Sequence, residues 1–103
     1  MKLTIKERLN FGALYPEKGN IVEQKLVRDI AEKIDISQKE MKEIGLRSLE
    51  NGVLQWNDKK AKTRKVEFTE MEMDLLKKQV KELDEKKEIT ANILSICLLI
   101  NAK

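Results

Sequence analysis

Four times in this chain a small polar residue precedes an apolar periodicity and is followed three positions later by glutamate. The pairs are Thr4 with Glu7, Asn20 with Glu23, Ser37 with Glu40, and Thr69 with Glu72. Each is the pattern of a capping box, in which side chain and backbone at a helix start satisfy each other's hydrogen bonds. Four fixed helix starts in a chain of 103 residues leave few ways to arrange it. A fifth start is expected at Thr90, with Ile89 and Leu94 at the stapling positions around it.

Taken in order, the first helix is expected from Ile5 to about Leu14, stopped by Tyr15-Pro16 because a residue before proline is pushed out of the helical region. The second should run from Ile21 to about Ile34, with Val22, Leu26, Val27, Ile30, Ala31 and Ile34 as its buried stripe. A short third helix, Gln38 to Ile44, should end at Gly45 in a left-handed cap, with Ile36 and Met41 stapled at its start. Asn51-Gly52 then lies between LRSLE and VLQWN, the dipeptide of a type I′ hairpin turn. That turn would set Leu49 opposite Leu54 and Arg47 opposite Trp56, with the guanidinium over the indole. Residues Lys65 to Phe68 should add a third strand, Val66 and Phe68 pointing inward. A fourth helix should reach about Lys86 with Met73, Leu76, Val80 and Leu83 inside, and a fifth should span Ala91 to about Asn101.

The expected fold class is therefore α+β and mainly helical: three N-terminal helices, a small antiparallel sheet, and two C-terminal helices. One domain, 1–103, is expected. It would comprise a helical part at 1–45, a small sheet at 46–68, and the two C-terminal helices at 69–103.

Composition narrows the chemistry. There is no histidine, so the commonest general base and zinc ligand is missing. The one cysteine, Cys97, sits in the apolar run ILSICLLI and reads as a small buried hydrophobe. Ser37, Ser48 and Ser95 have no base to activate them, and no glycine-rich phosphate loop is present. The carboxylates read as exposed i, i+4 partners of cations, Glu82 with Lys86 and Glu43 with Arg47 among them. We expect no enzyme, no cofactor, no metal and no small-molecule substrate. The run Ile93 to Ile100 is too short to cross a bilayer and no secretory leader is visible, so a cytoplasmic protein is expected.

Two surfaces stand out. Residues 26–44 have the spacing of a helix-turn-helix, with Ala31 small at the crossing and Met41 and Ile44 holding the second helix. The segment 58–65 (DKKAKTRK) carries five bases against one acid, and the rest of the chain sums to −1. Hairpin and basic loop together resemble the wing of winged helix-turn-helix proteins. On that resemblance Gln38, Lys39 and Lys42 would face the major groove. Lys59, Lys60, Lys62, Arg64 and Lys65 would meet phosphate. Against it stand Asp35 at the turn position usually given to glycine, and Glu40 and Glu43, which cancel the lysines of the third helix. The lysines equally suit an edge hairpin kept from pairing with other chains.

The second surface is the fifth helix. Ile93, Ile96, Cys97 and Ile100 share one side, Leu94 and Leu98 flank it, and Leu99 falls near the polar face. So small a domain can bury only one side of a terminal helix, which makes Leu94, Leu98 and Leu99 candidates for a protein interface or self-association.

The line LTIKERLNFGALYPEKGN, then LVRDIAEKI, LENGVLQWN and VEFTEMEMDLLKKQVKELDEKKEIT resembles a group of small uncharacterised proteins from phages and prophages. The shared features are the stop at Leu14-Tyr15-Pro16, the helix start at Gly19-Asn20, and the tryptophan after the turn, Trp56. The resemblance implies a mobile-element setting and an accessory protein that binds a host or viral protein or DNA inside the host cell. It assigns no functional residues.

Overall fold

A computed structural model describes all 103 residues. The elements are β1 (Lys2–Leu3), α1 (Ile5–Asn10) continued by a 3₁₀ turn (Phe11–Leu14), α2 (Ile21–Ile34), α3 (Gln38–Ile44), β2 (Arg47–Ser48), β3 (Leu54–Gln55), β4 (Arg64–Lys65), α4 (Glu70–Glu85) and α5 (Ala91–Asn101). The fold is α+β and mainly helical. Complete capping boxes form at Thr4, Asn20 and Thr69, each threonine or asparagine accepting the N–H three residues on while the glutamate takes the cap's own N–H. Ser37 makes only half of one: its hydroxyl accepts from Glu40 N, but the Glu40 carboxylate is engaged elsewhere. Thr90 makes no side-chain cap. Gly45 ends α3 with φ 67°, the expected left-handed cap.

The main core lies between α1 with its 3₁₀ turn, α2, α4 and α5, where Phe11, Leu14, Ile30, Leu76, Ile96 and Ile100 are almost wholly buried. Phe68 stacks on Phe11 with ring centroids 5.8 Å apart. Leu75, absent from the expected inner face of α4, is buried there too, whereas Val22 on α2 is exposed. A second, much smaller cluster of Ile5, Ile36 and Ile44 joins α3 to α1, with Leu46, Trp56 and Ala61 packed against it. Residues 36–63 therefore hang on the helical core as a small lobe.

The strands depart from expectation in two ways. The third strand does not extend the hairpin. Instead β4 pairs antiparallel with β1 (Leu3 with Arg64, Lys2 with Lys65), and β2 pairs with β3 in a separate sheet. Strand pairing depends on which segment lies within reach, and burial of Leu3 and Val66 in the main core draws β1 and β4 together. No wing in the winged-helix sense results, because basic loop and hairpin belong to different sheets.

The hairpin register also moves by one residue. Arg47 faces Gln55 and Ser48 faces Leu54. Leu49 O accepts from Gly52 N, and Leu49 N donates to Val53 O at 2.8 Å. Glu50 and Asn51 keep negative φ and only Gly52 turns left-handed, at φ 80°. This is a three-residue loop with a bulge at glycine, not the two-residue type I′ turn. Asn51 Oδ1 accepts Val53 N–H at 3.2 Å, which favours this geometry. A one-residue slip exchanges faces, so the expected Arg47–Trp56 stack is absent and Arg47 donates to Gln55 Oε1 instead.

Candidate functional site

The site is built outward from Arg8. It falls on the inner face of α1, beside Ile5, and its side chain has no exposed surface. A buried guanidinium needs partners for its donors, and four bonds occupy four of its five N–H groups. Nε donates to Ile34 O (2.9 Å), at the end of α2. Nη2 donates to Asp35 O (2.5 Å) in the α2–α3 turn. Nη1 and Nη2 grip the two carboxylate oxygens of Glu40 on α3, at 2.5 and 3.0 Å. One side chain from α1 thus fixes both the turn and the helix after it. Arg64 reaches the same turn, donating to Asp35 O at 3.3 Å. The hydrogen bonds from Arg8, with its charge and that of Arg64, hold Glu40 below the usual carboxylate pKa despite its partial burial.

The basic loop is docked onto this arrangement. Asn57 N donates to Ile44 O at 2.8 Å, tying the loop to the end of α3. Asn57 O accepts from Lys60 N and Ala61 N, and its Oδ1 from Lys59 N. The lysines therefore stand on an ordered turn. Trp56 Nε1 donates to Asp58 at 2.7 Å beside it.

All eight residues expected to meet nucleic acid are exposed, but the structure gathers only some of them. Lys39, Lys60 and Lys62 line one depression of about 270 Å³ with Ser37, Glu40, Glu43 and Ile44. Arg64 sits by the turn just beside it, through its bond to Asp35 O. Lys65 is drawn away, its Nζ lying 3.6 Å from Glu67. Gln38, Lys42 and Lys59 do not line the depression. The helix-turn-helix packing is also not as expected. Met41 is exposed, and Ile44 packs on Ile5 of α1. Between α1, α2 and α3 lies a shallow groove with Ala31, Ile34 and Met41 along it.

On α5, Leu94 and Leu98 are 49% and 60% exposed, one helical turn apart. Leu99, expected toward solvent, packs instead on the edge of the main core. Alone among the five helices, α5 has no charged residue, and its outer side presents Ala91, Leu94, Ser95, Leu98 and Asn101. Cys97 is buried, and burial with the nearby Asp84 charge pushes its thiol pKa up, away from nucleophilic thiolate.

Three polar groups are buried in ways the sequence reading did not foresee. Arg8 is one. Glu72 is another: it accepts Thr69 N and pairs with Lys33 of α2, whose Nζ lies 5.9 Å from the Phe68 ring centre. Burial would raise the Glu72 pKa, but the hydrogen bonds from Lys33 and Thr69 outweigh it and the net shift is downward. The third is the Tyr15 hydroxyl, buried with no partner, so that desolvation pushes its pKa up to about 12. A signal for the first two was present. Arg8 lies three positions after Ile5, and Glu72 three and four before Leu75 and Leu76, so both fall on apolar faces where a charge requires a partner. The expected local pairs Glu82–Lys86 and Glu43–Arg47 do not form; the ion pairs are Arg8–Glu40, Lys33–Glu72, Lys78–Glu23, Lys65–Glu67 and Arg28–Asp29.

No protein-family model, no curated protein and no solved structure matches this chain. No helix is long and apolar enough to cross a membrane.

Proposed function

We propose that this is a non-enzymatic accessory protein that works by binding another protein, host or viral, or a second copy of itself, through the outer face of α5. The phage-type order of motifs supplies the setting, the interior of a host cell. The observation that carries the reading is an uncharged exposed helix face in a chain with 38% charged residues. Elsewhere charge covers the outside of every helix; here Leu94 and Leu98 take its place.

The exposed fractions of the two leucines add up to about one whole side chain. Covering them would contribute roughly 1.5–3 kcal/mol, or about a 10- to 100-fold change in Kd. That is too little to hold a complex alone, so the interface must extend over neighbouring polar surface. Light scattering over a range of concentrations tests self-association, and affinity capture from host lysate with and without nuclease tests other partners. Leu98→Glu should abolish the association seen with the parent protein. A parent that stays monomeric and captures the same proteins as Leu98→Glu would refute the proposal.

A further inference from the structure

We propose that α3 and the loop 57–63 together form a surface that binds the phosphate backbone of duplex nucleic acid without reading its sequence. This goes beyond the protein-binding reading and uses a different face of the molecule.

Four observations support it. Lys39 comes from α3 and Lys60 and Lys62 from the loop, yet they line a single depression. None of the three takes part in an ion pair, so their charge is free for a ligand. The loop is also held in place, by the Asn57 hydrogen bonds to Ile44 and to its own turn, so little ordering is needed when it meets a phosphate. Finally, the acid that most weakens a cationic reading of α3 is already spent. The Glu40 carboxylate is gripped from within by Arg8, which leaves Glu43 as the one uncompensated acid of the depression.

The same surface argues against other nucleic-acid modes. Single strands are held by stacking on aromatic faces, and the one aromatic nearby, Trp56, packs on the Ile5–Ile36–Ile44 cluster with its N–H committed to Asp58. The planar guanidiniums and amides that read base edges most selectively are scarce on a helix of two turns: α3 has no arginine and a single amide, Gln38.

Fluorescence anisotropy with a labelled 20-base-pair DNA duplex at about 50 and 200 mM salt tests the proposal. Three phosphate contacts predict a log–log slope of about −2.7, hence a loss of about 40-fold between the two concentrations. The double variant Lys60→Glu, Lys62→Glu should reduce that slope by about two units. Glu43→Gln should tighten binding several-fold while leaving every hydrogen bond described above in place. Lys77→Glu with Lys81→Glu on α4 changes net charge equally on an element that packs against α2 and α5, and should alter binding little. A duplex RNA should bind within a few-fold of the DNA. The proposal is overturned by any of three results: no saturable binding at low salt, an equal loss in the α4 control, or tighter binding of single strands than of either duplex. Since Leu98→Glu leaves this face intact, each proposal can fail without the other.

Discussion

Replacing Arg8 by methionine keeps the apolar stem of the side chain about as far as Nε and removes the guanidinium with its four hydrogen bonds. The acceptors left behind differ in exposure, and that sets the cost. Ile34 is buried, so its carbonyl goes unsatisfied, at about 1–3 kcal/mol. Glu40 retains 25% side-chain exposure and Asp35 is exposed, so water recovers part of what those acceptors lose. Adding about 1.5–3 kcal/mol for the charged bonds to Glu40, and subtracting the relief of no longer burying a guanidinium, the net loss should be about 3 kcal/mol. A chain of this length has roughly 5–15 kcal/mol in all. The loss should also be local. Trp56, the one tryptophan, packs in the lobe that Arg8 anchors, whereas the helical signal comes mostly from the main core. In urea the Trp56 fluorescence transition of Arg8→Met should precede the circular-dichroism transition, where in the parent the two coincide. Adding Glu40→Met should recover about half of the loss, because the penalty lies in the orphaned partner. A loss under about 1 kcal/mol, or two probes that still move together, would refute the claim that one buried arginine holds the lobe.

Three further outcomes are expected. Tyr15→Phe removes a buried hydroxyl with no partner and should stabilise the protein by about 1 kcal/mol in thermal or urea unfolding. Because the tyrosine pKa is raised, the parent protein should lose stability as pH climbs from 10.0 toward 12, a loss that Tyr15→Phe removes; absorbance titration of this sole tyrosine should show the same displacement. Glu40 and Glu72 are shifted the other way, below 4.5, so the stability from their ion pairs is present above that pH and lost as acid carries each group through its lowered pKa. Glu40→Gln and Glu72→Gln should each flatten the acid limb of a stability–pH curve. At Gly45 and Gly52 an added Cβ meets nothing within 4 Å, so alanine there should cost only the left-handed backbone, about 1 kcal/mol each by urea unfolding.

What was legible in the residues was what is decided locally. Helix α2 has its expected bounds because Asn20, Glu23 and the apolar stripe all lie within one segment, and α3 likewise between Ser37 and Gly45. Distance in sequence is where legibility ended. Ser37-x-x-Glu40 looks like the other three caps, yet its carboxylate is taken by an arginine 32 residues away. Asn51-Gly52 signalled a hairpin correctly but not its register, because one left-handed residue sufficed where two were expected. The partner of β4 lies at the far end of the chain, and no local pattern points to it. At the candidate surfaces the exposed lysines were readable one by one. That three of them share a depression, and that Glu40 faces inward, depended on tertiary structure. Leu99 and Leu94 show the same limit: both are leucines of one helix, and which of them meets solvent is set by α1 and α4.

The pairing of Leu3 with Arg64 also sets an order of events during synthesis. On the ribosome the first strand emerges long before its partner, and at 5–20 residues per second the interval is roughly 3 to 12 s. The partners of Arg8, residues 34 to 40, follow in about half that time. Leu3 therefore stays uncovered on the nascent chain until β4, and after it the α4 and α5 residues that bury it, have followed.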